Sequence, residues 1–214
     1  GFDALDVKAC HDNGVQTLYA PVANSTSVAE TAMLLMLECS RNVIELRKIW
    51  VQDYYKAKLK TRKTTVNGKT VGIIGCGNIG SRLAVRALGM EMNVLAYDPY
   101  KKADEFPEGV EVVRDLDRIF KESDYVSLHV PNTPITRGMV NKERLEMMKP
   151  TAFLINTARG GCVVEQDLYE ACKNKTIAGA GLDAIQKEPV DPANPLLTLD
   201  NVIIYPHIGG NTME

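Results

Sequence analysis

The chain has 214 residues, which is enough for one large domain or for one domain with part of a second. Its 25 basic and 27 acidic residues give a formal net charge of −2, so no global field draws it to nucleic acid or an anionic membrane. Hydrophobic residues at 45% and charged residues at 24% exclude disorder as the main state, and the longest apolar run, residues 32–37, is too short to span a bilayer.

The N-terminal stretch predicts three short elements. These are a helix over Asp6–Asp12, a turn at Asn13-Gly14, and a strand over Val15–Tyr19 that Pro21 closes. The sequence starts at Gly1 without an initiator methionine, and we interpret it as a piece of a longer protein.

A long helix is predicted next. Ser27 and Glu30 have the spacing of a capping box, which favours a helix start. Apolar side chains then recur at helical spacing, at Val28, Ala32, Leu35, Cys39, Val43 and Leu46. The first half is apolar nearly all round, so we expect it to be buried between other elements. Residues 56–63 are basic and poorly periodic, which is typical of a solvated linker rather than a nucleic-acid-binding surface.

From residue 67 onward, short apolar runs alternate with amphipathic stretches. The predicted strands are Thr70–Ile74, Asn93–Tyr97, Val110–Val112, Tyr125–Val130, Ala152–Asn156, Ile177–Asp183 and Val202–Tyr205. The predicted helices are Asn78–Leu88, Leu116–Glu122, Lys142–Met148 and Glu165–Asn174. This alternation predicts an α/β fold with a doubly wound, Rossmann-like parallel sheet.

A glycine-rich loop follows the first of these strands. Gly75, Gly77 and Gly80 form a GxGxxG pattern between a buried strand and a helix. The first glycine permits a tight turn, the second lets a pyrophosphate approach the backbone, and the third lets the helix pack on the strand. Asp98 ends the next strand, where a carboxylate binds an adenosine ribose and repels a 2′-phosphate. The sequence therefore predicts a dinucleotide site that favours NAD over NADP.

Polar residues follow three later strands and suggest a reaction. Arg159 lies in a glycine turn after one strand, Glu188 lies beyond Asp183 after another, and His207 follows the last. Beside a nicotinamide, the arginine would bind a substrate carboxylate and polarise its carbonyl, and the histidine would exchange the hydroxyl proton. The glutamate would hold the imidazole in one tautomer and favour its protonated form. Three unrelated surface loops are the alternative interpretation.

The motifs resemble those of the D-isomer-specific 2-hydroxyacid dehydrogenases, a family that includes D-3-phosphoglycerate dehydrogenase. The resemblance covers essentially the whole chain. Its motifs, in the family's order, are Gly1-Phe2-Asp3, Asn24 to Glu30, Gly75 to Gly80, Leu128 to Pro131 with Thr133 and Thr136, Asn156 to Gly161, Gly181 to Asp183 with Glu188-Pro189, and Pro206 to Gly209.

The resemblance implies a role for each matching residue. Arg159, Glu188 and His207 correspond to the family's catalytic residues, of which Arg159 and His207 also meet the cofactor. The other cofactor contacts implied are Gly75, Gly77, Asn78, Ile79 and Gly80 at the phosphates, Asp98 at the ribose, Val130 through its backbone, Thr157, Ala158 and Asp183 around the nicotinamide, and Gly209 and Gly210, which keep the last loop open. The implied partner is a small 2-hydroxy or 2-keto acid, with no metal. Phosphoglycerate is the first candidate, ahead of hydroxypyruvate, glycerate and lactate.

The resemblance also implies a domain organisation. Residues 1–22 would be the remnant of a substrate domain, and residues 23–214 the NAD-binding domain with its interdomain crossover helix. The piece is expected to bind NAD but to turn over substrate poorly, since much of the substrate domain lies outside it. Residues 25 to about 60 would mediate a homodimer.

Two features depart from the family pattern. Ala184-Ile185 replaces the commoner Val-Phe, and Val164 stands where an aspartate is usual. The formate dehydrogenase branch pairs its histidine with glutamine, so Glu188 argues against that branch.

Two alternatives to an enzyme remain open. One is an NAD(H)-sensing interaction scaffold, like the corepressor relatives of this family, and the other is a structural domain with a vestigial site. His11 is interpreted as a surface residue, His129 as a packing or cofactor-proximal residue, and Cys76 as a small side chain that fits the loop. Five cysteines without a CxxC pair argue against disulfides and zinc, and favour a reducing compartment such as the cytoplasm.

Overall fold

The computed structural model of the chain describes residues 5–18, 20, 22–60 and 63–213. The α-helices are α1 (Val7–Asp12), α2 (Ser25–Arg41), α3 (Val43–Trp50), α4 (Tyr54–Lys60), α5 (Asn78–Gly89), α6 (Leu116–Glu122), α7 (Lys142–Met147) and α8 (Glu165–Lys173). The strands are β1 (Thr70–Ile74), β2 (Asn93–Tyr97), β3 (Glu111–Val112), β4 (Tyr125–Leu128), β5 (Phe153–Asn156), β6 (Gly179–Leu182) and β7 (Val202–Ile204).

The strands form a single parallel sheet in the order β3-β2-β1-β4-β5-β6-β7. The chain winds outward from β1 to β3 and then crosses to β4, so the winding direction reverses between β1 and β4. Open parallel sheets bind ligands at such a switch point, beyond the carboxyl ends of the strands. The predicted doubly wound fold is confirmed, with strand and helix ends within two residues of the predicted ones in most elements.

Hydrophobic cores cover both faces of the sheet. On one face α2 packs against α5 and on β5 and β6, and the buried side chains include Leu35, Ile73, Leu83 and Ile155. On the other face Phe120, Leu128, Leu154 and Leu168 lie between the sheet and α6, α7 and α8. β4 is buried at every residue, because both of its faces are covered. In the described part of the chain, no helix combines the length and the apolarity needed to cross a membrane.

The N-terminal predictions are partly wrong. The helix is confirmed as α1, and the Asp6 carboxylate caps it by accepting from the Ala9 N–H at 2.8 Å. Residues 15–18 are not a strand, since nothing in the described structure offers them a ladder partner. The predicted end of that strand, Tyr19, and its closing residue, Pro21, lie outside the described residues.

The predicted capping box at the start of the long helix is also wrong. Asn24 is the N-cap residue, and the Ser27 hydroxyl donates to the Asn24 carbonyl at 2.9 Å instead of accepting from a backbone N–H. Glu30 is turned outward and pairs with Arg86 of α5 at 2.9 Å. The burial predicted for the first half of this helix is confirmed at residues 28–36, apart from the exposed Glu30 and Leu34 and partial exposure at Thr31.

The long helix is shorter than its pattern predicts. α2 ends at Arg41, because Asn42 adopts the left-handed conformation with φ of +52°, and α3 starts at the next residue. Asparagine tolerates this conformation better than other residues with a Cβ. The prediction of a linker is wrong for residues 56–60, because they belong to α4. Asp53 Oδ1 caps the first turn of this helix by accepting from the Lys56 N–H at 2.8 Å.

Candidate active site

All the predicted site residues follow the carboxyl ends of the strands. Because every strand is parallel, the loops after β1, β2, β4, β5, β6 and β7 emerge at one edge of the sheet. This edge carries Gly75, Gly77, Asn78, Ile79, Gly80, Asp98, Val130, Thr157, Ala158, Arg159, Asp183, Glu188, His207, Gly209 and Gly210.

Two glycines shape the turn from β1 into α5. Gly75 has φ of +89°, a conformation that residues with a Cβ rarely adopt, and its N–H donates to the Tyr97 carbonyl at 2.8 Å. A Cβ on Gly80 would lie 2.1 Å from the Gly75 carbonyl oxygen. Each of these glycines is therefore required by the protein's own packing.

Gly77 is different, because a Cβ there would meet no atom of the described residues within 4 Å. It is the N-cap residue of α5, and without a side chain it cannot cap the helix itself. The positive end of the helix dipole and the first backbone N–H groups, including those of Asn78 and Ile79, form an anion-binding position there. The space beside Gly77 is therefore open at the positive end of α5, which favours an anionic ligand.

Asp98 is joined to this loop. Its Oδ2 accepts from the Cys76 N–H at 3.0 Å, and its Oδ1 accepts from the Tyr100 N–H at 3.0 Å. Arg114 donates to the Asp98 and Lys101 carbonyl oxygens, both at 3.0 Å, and so fixes the backbone of the same turn. The carboxylate is therefore bonded to the residue next to Gly77. In this position it can meet the ribose of a nucleotide whose phosphates contact α5.

His129 and Val130 continue β4 toward the same loop. The Val130 side chain packs against Gly75, because a Cβ on that glycine would lie only 2.8 Å from Val130 Cγ1. The His129 Nε2 lies 2.9 Å from the Ser127 hydroxyl, and burial lowers the pKa of His129 to about 4. This imidazole is neutral at physiological pH, which favours its interpretation as a packing residue.

The loop after β5 carries Thr157, Ala158 and Arg159. Thr157 is 6% exposed, and its hydroxyl has no hydrogen-bond partner in the described structure. Buried hydroxyls without partners are uncommon, so a ligand group at this position would satisfy it. The half-buried Arg159 donates from Nη1 to the Ala158 carbonyl at 2.8 Å.

Glu188 and His207 form a direct pair. The imidazole Nδ1 lies 2.7 Å from Glu188 Oε2, and both side chains are about two-fifths exposed. With its proton on Nδ1, the imidazole donates to the carboxylate and keeps Nε2 for a substrate. Glu188 Oε1 accepts from the Ile185 N–H at 3.3 Å, which restrains the carboxylate from its other side.

Asp183 holds the loop that carries His207. It is 2% exposed, and its two oxygens accept from the Ile208 and Gly209 N–H groups, both at 2.8 Å. His207 itself has φ of +57°, which is unusual for a residue with a Cβ and is stabilised by such surrounding contacts.

The structure gives a different reason for the two glycines after His207. A Cβ on Gly209 would lie 2.7 Å from Asp183 Oδ2, and a Cβ on Gly210 would lie 2.8 Å from Asn24 Nδ2. Their small size lets the loop pack against β6 and the start of α2, so the expectation that they keep the loop open is not needed to explain them.

Two residues that organise this site, Asn156 and Glu165, were not predicted from the sequence. Asn156, at the end of β5, is 1% exposed and uses its amide to bind the backbone of the Arg159 turn and Ala184. Glu165 accepts from the Gln186 N–H and from Asn194 Nδ2, so it anchors the loop that bears Glu188. A polar residue at the end of an apolar strand was the available signal for Asn156, whereas Glu165 gave none.

Comparisons with known proteins agree with this geometry. The family described as D-isomer specific 2-hydroxyacid dehydrogenase, NAD binding domain, matches residues 33–209. The chain belongs to this family. A hydroxypyruvate reductase of Thermotoga maritima is 43% identical over 216 residues, covering 100% of this chain and 69% of the relative. A D-3-phosphoglycerate dehydrogenase of Methanocaldococcus jannaschii is 42% identical over 216 residues, covering 100% of this chain and 41% of that protein.

A solved structure shows the same fold. A D-lactate dehydrogenase of Aquifex aeolicus, complexed with NAD and lactic acid, superposes with a TM-score of 0.84 at 35% identity, covering 100% of this chain and 68% of that one. The chain thus spans between about two-fifths and two-thirds of these dehydrogenases and reductases. Their names give no support to the corepressor-type scaffold.

The residues present fit the NAD that the family domain binds. Gly77 leaves the approach to the helix N-terminus open, and Asp98 is fixed beside it. Farther along the edge, the buried Thr157 hydroxyl has no partner among the described residues. The family and the structure therefore agree that this 2-hydroxyacid dehydrogenase domain takes NAD.

Proposed function

We propose that the protein catalyses hydride transfer between NAD(H) and a D-2-hydroxy acid or its 2-keto partner. The observation that carries the proposal is the 2.7 Å contact between His207 and Glu188, at the same sheet edge as the Gly75–Gly80 loop and Arg159. A carboxylate-oriented imidazole, an arginine and a dinucleotide loop are together the groups that reduction of a keto acid requires.

In the reductive direction, bound NADH supplies the hydride that reaches the carbonyl carbon. His207 donates the proton from Nε2 to the carbonyl oxygen, which becomes the hydroxyl, and it ends the step neutral. Glu188 holds Nδ1 throughout and so keeps Nε2 as the proton donor. Arg159 binds the substrate carboxylate and stabilises the negative charge that develops on the carbonyl oxygen.

The roles carried over from the family form part of this proposal. Arg159, Glu188 and His207 are the catalytic residues. Gly75, Gly77, Asn78, Ile79, Gly80, Asp98, Val130, Thr157, Ala158, Arg159, Asp183, His207, Gly209 and Gly210 contact NAD. Residues 1–22 belong to a substrate domain and residues 23–214 to the NAD-binding domain, which is supported by the family match that begins at residue 33.

The substrate is a small 2-keto or 2-hydroxy acid. The relatives at 43% and 42% identity are named for hydroxypyruvate and for D-3-phosphoglycerate. Sequence similarity alone therefore does not favour either compound as the substrate. A panel that contains hydroxypyruvate, 3-phosphohydroxypyruvate, glyoxylate and pyruvate distinguishes these candidates. We expect the 214-residue chain to reduce them far more slowly than the complete gene product, because part of the carboxylate site belongs to the substrate domain.

The protein also forms a homodimer through α2 and the helices that follow it. Leu34 and Trp50 are about half exposed, and a groove between α2 and α5 is lined by Met33, Leu34, Leu37 and Met90. α3 has no buried residue in the single chain. A second copy that covers these side chains would remove their apolar surface from water.

The central test is the variant His207→Ala in the complete gene product. We expect kcat to fall by about a hundredfold to ten-thousandfold, because the proton donor is lost. NADH should still bind, which fluorescence titration measures. The matched control is His11→Ala, which removes an exposed imidazole on α1 and should leave kcat unchanged. An unchanged kcat in the His207→Ala variant would refute the proposed role.

A further inference from the structure

We propose that Asn156 is a positioning residue that holds the Arg159 turn and the Glu188 loop together as one unit. The inference rests on the proposed function, since it concerns the placement of those two side chains. Asn156 is the last residue of β5 and is 1% exposed. Its Oδ1 accepts from the Ala158 N–H at 3.0 Å, and its Nδ2 donates to the Arg159 carbonyl at 3.1 Å and to the Ala184 carbonyl at 3.4 Å. One side-chain amide thus bonds to the loop after β5 and to the loop after β6.

The two loops also touch through their backbones. A Cβ on Gly160 would lie 1.9 Å from the Ile185 carbonyl carbon and 2.3 Å from the Gln186 nitrogen. Between the loops there is therefore no room for a side chain at Gly160. The Asn156 amide, which reaches between them from β5, sets how the two backbones align.

The effect of this alignment extends to the His207 pair. The Ile185 N–H, one residue beyond the Asn156 contact, donates to Glu188 Oε1 at 3.3 Å. Glu188 Oε2 in turn contacts His207 Nδ1 at 2.7 Å. A shift of the Ala184–Ile185 backbone would consequently move the carboxylate that orients the imidazole. Asn156 acts on Arg159 from one side of its amide and on the Glu188–His207 pair from the other.

The substitution Asn156→Asp isolates this role. Aspartate has nearly the same shape and retains an acceptor for the Ala158 N–H. It replaces the Nδ2 donor by an oxygen that faces the carbonyl oxygens of Arg159 and Ala184, so the bonds to both loops are replaced by repulsion. The variant Asn156→Ser removes the same bridge without adding a charge.

The chain offers a matched control at the amino ends of the strands, on the side of the sheet away from the site. Asn201 precedes β7, and its Nδ2 donates to the Cys172 carbonyl at 3.0 Å and to the Ala178 carbonyl at 2.9 Å. Asn201→Asp therefore also removes an amide donor that bonds to two carbonyl oxygens. It does so at a place remote from the strand ends that carry the site.

The experiment compares the wild-type complete gene product with its Asn156→Asp, Asn156→Ser and Asn201→Asp variants. The thermal midpoint, the NADH dissociation constant, kcat and KM for a 2-keto acid, and the pH profile of kcat are measured for each. We expect every variant still to bind NADH at a saturable site, with a dissociation constant that changes much less than kcat. A misplacement of about 1 Å in catalytic groups costs about a hundredfold in rate, so we expect kcat to fall by that order in both Asn156 variants, with an altered pH profile. Asn201→Asp should keep kcat within about twofold and the profile unchanged.

Two outcomes would overturn the inference. If the Asn156 variants lose stability but keep the kcat and pH profile of Asn201→Asp, then Asn156 is a structural residue only. If Asn156→Asp does not fold, the comparison of Asn156→Ser with Asn201→Asp decides in the same way. If instead the wild-type protein oxidises NADH in the presence of none of the 2-keto acids tested, the proposed function is refuted, and the inference with it.

Discussion

At the scale of single residues, the three glycines of the loop after β1 have different reasons to be glycine. Gly75 must be glycine because of its positive φ. Gly80 must be glycine because a Cβ there would lie 2.1 Å from a backbone oxygen. Gly77 needs neither, because its surroundings in the protein are open. The protein's own packing thus explains two of the glycines, and a ligand is the remaining reason for the third.

This difference gives a paired prediction for Gly77→Ala and Gly80→Ala. A methyl group at residue 77 meets no protein atom, so the thermal midpoint should stay close to that of wild type while the NADH dissociation constant rises by about tenfold or more. A methyl group at residue 80 overlaps the Gly75 carbonyl and should destabilise the fold by about 1–3 kcal/mol. Thermal unfolding and NADH titration of both variants check this. Equal loss of stability in the two variants would contradict it.

Several residue-scale features could not be read from the sequence. The spacing of Ser27 and Glu30 suggested a capping box, but only the structure shows Asn24 in the N-cap position, with Glu30 drawn to Arg86 on another helix. The roles of Asn156 and Glu165 depend on loops that meet across the sheet edge, more than 20 residues apart in the chain. The hydrophobic pattern contains no information about such contacts.

At the scale of elements, the pattern from β1 onward predicted the structure well, whereas the pattern before it predicted α1 and the buried part of α2 but not the end of α2 or the helix α4. Strands such as β4 are buried on both faces and leave an unmistakable apolar run bounded by turn residues. The two helices between α2 and β1 gain little from burial: α3 buries no residue, and α4 buries only Ala57 among its described side chains. The break at Asn42 depends on one left-handed residue, which periodicity does not reveal.

The exposed apolar side chains of α2 and the helices that follow it lead to a prediction about assembly. In the proposed dimer, Leu34 is covered by the second copy, so Leu34→Lys would bury a charge and raise the dimer dissociation constant by at least about a hundredfold. Leu197→Lys is the matched control, because Leu197 is 46% exposed against 47% for Leu34 and lies on the turn Pro195–Thr198. Sedimentation equilibrium of both variants checks the expectation. A wild-type protein that is monomeric, or a Leu34→Lys variant that remains dimeric, would refute this interface.

At the scale of the whole molecule, the parallel sheet is what assembles the site. Asp98, Arg159, Glu188 and His207 are scattered over 110 residues, and they share one edge because every strand has the same direction. That convergence was predictable, since the carboxyl ends of parallel strands always coincide. The distances within the site were not, because they are set by loop contacts such as those of Asp183 with Ile208 and Gly209.

The proposed function depends above all on a dinucleotide site at the switch between β1 and β4. Calorimetric titration of the folded 214-residue chain with NADH tests it most directly, with NADPH as the comparison ligand. One saturable site per chain is expected, with NADPH bound at least about tenfold more weakly because Asp98 repels its 2′-phosphate. A chain whose circular dichroism shows the folded α/β structure, but which gives no saturable heat with NADH, would contradict the account.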